Sequence, residues 1–249
     1  MIKVIRMKTK EEKLEEIRKK AKELERKLKQ REARAIPREP VKKEEPKKDR
    51  VKMPPVKLFN KWSCNIEVND PGMKRYITLN EKILPRSAGT YRQRFHKSKA
   101  HIIERLALHL MVPGHMGKRH RLTSGKLAGS FNTTMGIVER ALQIMEEKEK
   151  KNPVEIFVRA LENAGPREEI MSYQMGSIVA RDAVVTAPQR RIDKALRLFA
   201  QGAYRKSFSK KKKMEQALAE ELLAAYNNSA DSLAIKEKER IEREAGGAR

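Results

Sequence analysis

Arg167-Glu-Glu-Ile-Met-Ser-Tyr-Gln-Met-Gly-Ser-Ile-Val-Ala-Arg-Asp-Ala-Val-Val-Thr-Ala-Pro-Gln-Arg-Arg191 is the stretch in which the hydrophobic period changes. Within it Glu169–Tyr173 and Ile178–Thr186 read as two strands around Met175-Gly176, a hairpin pattern spanning about residues 167–187. The second strand carries Ile178, Val179, Val184 and Val185, all β-formers. No third strand follows, and a lone hairpin is marginal in water, so it must pack on the rest of the chain or on a partner. Pro188 then opens a helix to about Gln201, with Ile192, Ala195, Leu196, Phe199 and Ala200 facing inward and Arg190, Arg191, Lys194 and Arg197 outward.

Helical patterning surrounds this hairpin. Upstream, Ser98 is read as the cap of a helix through Met111, a second helix runs from about Asn132 to Lys150, and Asn152-Pro153 starts a third that closes at Gly165-Pro166. Downstream, one helix carries Met214, Ala217, Leu218, Leu222 and Ala225, and a last one spans Asp231–Ala245. Val56–Leu84 is mixed, with an apolar anchor at Leu58, Phe59 and Trp62, a turn at Asn69–Gly72 and short extended segments expected on either side. Residues 1–55 differ in kind. Thr9 with Glu12 makes a capping box for a charged helix to Arg34, and a Pro-rich linker follows to Pro55. The expected fold is mainly α: about six helices and one β-hairpin over residues 56–249, preceded by a charged helical extension.

The chain has 249 residues, with 58 Lys plus Arg against 33 Asp plus Glu, a net charge of +25. Charged residues are 37% of it, against roughly 25% in ordinary globular domains. No apolar run reaches the roughly 18 residues of a membrane span, and Met1–Met7 is too short for a secretory signal. A lone Cys64 allows no intramolecular disulfide and fits a reducing compartment. The charge is unevenly spread. Met1–Lys52 carries net +10, while Pro85–Lys126 and Gln189–Lys213 carry +9 each with a single acid apiece, Glu104 and Asp193. Such blocks inside helically patterned sequence point to a polyanion, nucleic acid before membrane surface.

Enzymatic and metal motifs fail on inspection. The five histidines, His96 to His120, are spaced 5, 8, 6 and 5 apart among Arg and Lys, which repel a cation and miss zinc spacing. Gly114–Lys118 falls short of a phosphate-loop motif, since Val112 replaces its first Gly and Arg119 its Ser/Thr. No serine lies near a histidine with a carboxylate to orient it, and Cys64 has no activator. No catalytic residue, metal or cofactor is expected. Four basic groups remain as RNA-binding candidates. Arg86, Arg92, Arg94, Lys97 and Lys99 run with Tyr91 and Phe95 interleaved. Lys118, Arg119, Arg121 and Lys126 lie in a Gly-containing loop whose backbone can approach phosphate. Tyr173, Gln174 and Arg181 sit on the hairpin. Gln189, Arg190, Arg191, Lys194 and Arg197 combine guanidinium forks with a helix start. With 11 Phe plus Tyr and one Trp, recognition by shape and backbone fits better than stacking platforms. A DNA-compacting chromatin protein is the alternative sharing this charge.

Six blocks carry a family resemblance: Lys57-Leu-Phe-Asn-Lys-Trp-Ser63, Leu84-Pro-Arg-Ser-Ala-Gly89, Ile103-Glu-Arg-Leu106, Asn152-Pro153, Ala160-Leu-Glu-Asn-Ala-Gly-Pro-Arg-Glu168 and Pro188-Gln-Arg-Arg191. From about Val56 to Ala245 the chain resembles the universal small-subunit ribosomal protein number seven, in its archaeal–eukaryotic form. The resemblance implies a helical bundle with a protruding hairpin and a cytoplasmic, non-enzymatic role within the ribosome. It implies binding to the 3′ major domain of small-subunit ribosomal RNA and nucleation of head assembly. It also implies a hairpin near the exit-site tRNA and mRNA path, and the eleventh small-subunit protein as a neighbour. The Arg86–Lys99 run, Gly117-Lys118-Arg119, Tyr173–Arg181 and Pro188–Arg197 fall on the matching positions.

Overall fold

The computed structural model describes residues 10–34, 56–114 and 129–249. By its contacts the chain divides into two units, residues 1–53 and 54–249. In the first, α1 (Lys10–Arg34) is a helix whose Leu24 and Leu28 lie exposed. Thr9, the expected cap, and the Pro-rich linker fall outside the described residues.

The second unit is mainly α, as the periodicity predicts. Its helices are α2 (Pro71–Lys74), α3 (Ile102–Met111), α4 (Phe131–Glu149), α5 (Pro153–Ala164), α6 (Pro188–Ser207), α7 (Met214–Tyr226) and α8 (Leu233–Gly246). Strands β1 (Glu168–Met175) and β2 (Ile178–Val185) lie between α5 and α6. Helix α7 packs against α4, α5 and α6. Its Ala217, Leu218, Ala219, Leu222, Leu223 and Ala225 are buried, so it is apolar almost all round, as a central helix must be. Phe157 of α5 and Phe199 of α6 are fully buried in the same core.

The strands pair antiparallel from Glu168↔Val185 to Met175↔Ile178. Pairing thus runs to the edge of a two-residue loop, which extends the first strand beyond Tyr173. Gly176 has φ +61°, the left-handed value that the first position of a type II′ hairpin turn requires. The hairpin is the one sheet among the described residues. Among the described residues it packs on the body at its base: Glu169 reaches α6, and the Arg167 N–H donates to Glu242 of α8. Arg249, past the end of α8, pairs with Glu168 and ties the terminus to the same base.

Three further segments differ from expectation. Helix α3 starts at Ile102, because the His101 ring accepts the Ile103 N–H, while Ser98 belongs to a 3₁₀ turn, His96–Lys99, and bonds back to the Phe95 carbonyl. Helix α6 runs past Gln201 to Ser207. Gly202 does not break it; a Cβ there would lie 2.7 Å from the Glu221 carboxyl, so the missing side chain is what lets α7 approach. Glu221 is fully buried and accepts from Ser232 Oγ and the Leu233 N–H, closing the start of α8. Finally, Val56–Leu84 forms isolated pairings at Leu58↔Trp62 and Thr78↔His101 in place of extended segments, and Asn69–Gly72 leads into α2, capped by Asp70.

Candidate nucleic-acid interface

The two internal +9 blocks meet in space. An open groove of about 830 Å³ is lined by Arg94, Phe95 and Lys97, by Arg105, Leu108 and His109 of α3, and by Gln189, Arg190, Asp193, Lys194 and Arg197 of α6. Six of these residues are cations and one is an acid, so the groove concentrates positive potential. The start of α6 opens into it. Ala187 offers no capping side chain, Pro188 occupies the first turn, and that turn holds no acid. The positive end of the helix dipole therefore lies at the groove with no acid in the first turn to offset it.

The acids present hold the cations in place. Asp193 accepts from Arg105 at 2.9 Å and pairs with Lys97, while the Arg105 guanidinium, 4% exposed, also donates to the Tyr76 carbonyl. Glu169 of β1 pairs with Arg190 at 2.6 Å and Lys194 at 2.5 Å. Burial pushes the Glu169 carboxyl up, yet hydrogen bonds from Lys194 and Arg190 outweigh it and hold the group below the usual carboxylate range. Arg94 and Arg197 are exposed and form no ion pair among the described residues, so they are the cations most available to a phosphate. Desolvation lowers His109, Arg105, Lys97 and Arg197 add to that, and only Asp193 opposes it.

The other candidates fall into different settings. Arg191 turns inward: its side chain is 11% exposed and its guanidinium meets Asp70, the cap of α2, at 2.9 Å. It braces α6 against α2 and does not share the surface of its neighbour Arg190. Gln189 is buried as well, with an amide nitrogen that has no hydrogen-bond partner among the described residues. Arg86 lies over the Phe131 ring and Arg92 folds back on the Gly89 carbonyl. Lys99 contacts His96. On the hairpin, Tyr173 donates to Asp182, Gln174 bonds the Gly176 carbonyl, and Arg181 is exposed. Lys118, Arg119, Arg121 and Lys126 lie outside the described residues.

Sequence reasoning passed over Arg105, Leu108 and His109. Their 3–4 spacing does put them on one face of α3, but only the packing of α6 beside α3 makes that face a wall. The quoted sequence blocks turn out to carry architecture. Glu104 accepts from the N–H and hydroxyl of Ser87, pinning the Leu84–Gly89 segment, and Trp62 donates to Glu146 at 2.8 Å. Asn152 caps α5 and donates to the Ser63 carbonyl, and Asn163 holds the last carbonyls of α7. Among the described residues no group of His, Cys, Asp and Glu could hold a metal ion, and no helix is long and apolar enough to cross a membrane.

The family model for ribosomal protein S7p/S5e matches residues 73–249. A protein of Nanoarchaeum equitans named small ribosomal subunit protein uS7 is 44% identical over 196 residues, which is 78% of this chain and 99% of the relative. Proteins of the same name from Methanothrix thermoacetophila and Methanococcoides burtonii are 38% and 41% identical, over 78% of this chain and 100% and 99% of theirs. Matched over most of its folded body, and aligned to these relatives along nearly their whole length, the chain belongs to the ribosomal protein S7p/S5e family.

Proposed function

We propose that this protein is a structural, non-catalytic component of the small ribosomal subunit in the cytoplasm, and that its basic groove holds backbone phosphates of the ribosomal RNA. The observation that carries the reading is the union of two separate basic blocks around the uncapped start of α6. Phosphate oxygens there would accept from backbone N–H groups and from Arg94, Arg190 and Arg197, a charge-assisted arrangement stronger than neutral hydrogen bonds. Binding across several RNA helices would fix their junction in the 3′ major domain and favour assembly of the head. The hairpin, anchored at its base, would extend toward the exit-site tRNA and mRNA, with the eleventh small-subunit protein as a neighbour.

Arg190→Ala with Arg197→Ala tests this. The pair should weaken binding to a 3′ major domain fragment and flatten the plot of log K against log[salt] by about 1 to 2, since each phosphate contact contributes roughly 0.7–0.9 to that slope. Footprinting on whole small-subunit RNA should show protection confined to the 3′ major domain, with duplex DNA of equal length competing poorly. Diffuse protection, or an unchanged slope in the double variant, would refute the assignment.

A further inference from the structure

One wall of the groove is not made for phosphate. Phe95 and Leu108 line it, and they are 65% and 48% exposed. Phe95 occupies the left-handed region at φ +65°, which bulky non-glycine residues rarely adopt. Its carbonyl is held by the Ser98 hydroxyl at 2.9 Å, so the turn that follows keeps the residue in this conformation. The Arg94 guanidinium lies 5.1 Å from the ring centroid and covers part of the ring without burying it.

An exposed aromatic face and a positive helix start among six cations in one groove match the base and the phosphate of a nucleotide. Resting on the RNA-binding reading above, we propose that the groove receives one unpaired nucleotide, its base stacked on Phe95 beside Leu108 and its phosphate at the start of α6. A base within a duplex hides its faces and would reach only the cations, leaving Phe95 unused. An apolar protein segment would have to desolvate those cations, which is costly without counter-charges. The volume, about 830 Å³, lies within the roughly 300–1,000 Å³ of ligand sites. Scarcity of aromatics argues against an extended stacking platform but leaves room for a single base.

The test compares Phe95→Ala and Phe95→Trp with the wild type on the 3′ major domain fragment. Phe95→Ala should weaken binding about tenfold, as loss of one stacked base does, and leave the salt slope unchanged, because stacking releases no counterions. Probing of base reactivity should show one unpaired nucleotide protected by the wild type and reactive with Phe95→Ala. Phe95→Trp should restore affinity, and its indole fluorescence should be quenched by RNA. Phe95 is exposed, so circular dichroism should confirm both variants as folded. A localised wild-type footprint that Phe95→Ala reproduces at full affinity overturns the base site and leaves the RNA reading standing. A wild type without any localised footprint overturns both.

Discussion

At His101 a single ring does two jobs. Nδ1 accepts the Ile103 N–H at the start of α3, and Nε2 lies 3.8 Å from the buried Cys64 sulfur. Burial, with help from Lys82, lowers its pKa from 6.5 to about 4. The unfolded chain therefore binds a proton between pH 6.5 and 4 that the folded chain refuses, so this residue's contribution to stability is complete above pH 6.5 and falls with pH until about 4. Between pH 6.5 and 5 the loss should be about 2 kcal/mol, at 1.36 kcal/mol per unit. Urea titrations of the wild type and His101→Asn, which keeps a capping acceptor, should show this loss in the wild type and a smaller one in the variant. Parallel pH profiles would refute the role. Arg190 and Arg191 make a second point at this scale. They are chemically identical neighbours, yet one lies at the groove and the other is locked to Asp70, a difference that helical rotation of 100° per residue creates and a charge count cannot see.

At the scale of elements, the hairpin is the clearest case of a piece kept for something other than stability. Met171, Tyr173, Met175, Ile178 and Val179 are all exposed, whereas the base is tied to α6 and α8. Replacing Ser172–Arg181 by a two-residue turn should change stability by less than about 1 kcal/mol, because none of these side chains enters the core. Thermal melting checks this, and a large drop would mean that the tip docks on the body. The hairpin was legible in the sequence, since the period switches from helical spacing to a two-strand pattern around Met175-Gly176. The cap of α5 was legible, because Asn152 supplies a short polar acceptor just before Pro153. The start of α3 was not, because His101 is not among the usual capping side chains, and that of α8 was not, because Glu221 reaches it from 12 positions away.

For the whole molecule, residues 54–249 contain the hydrophobic core, and residues 1–53 form a unit of their own. A chain starting at residue 54 should melt cooperatively within about 3 °C of the full chain, roughly 1 kcal/mol at this size, while its RNA binding loses part of the salt dependence that net +10 supplies. Circular dichroism and salt titrations read the two outcomes. A truncated chain that fails to fold would refute the independence of the body. Within that body, the sequence by itself determined the helices, the hairpin and the polyanion-binding character. Those properties follow from spacing and charge along a few neighbouring residues, which local geometry converts directly into faces. The tertiary structure alone decided which cations share one groove, that Asp193 and Glu169 hold them, and that Arg191 and Gln189 turn inward. Lys97 and Asp193 lie 96 positions apart, and only the packing of α6 beside α3 brings them into contact. No periodicity encodes a contact of that kind, because it depends on how the whole core fills.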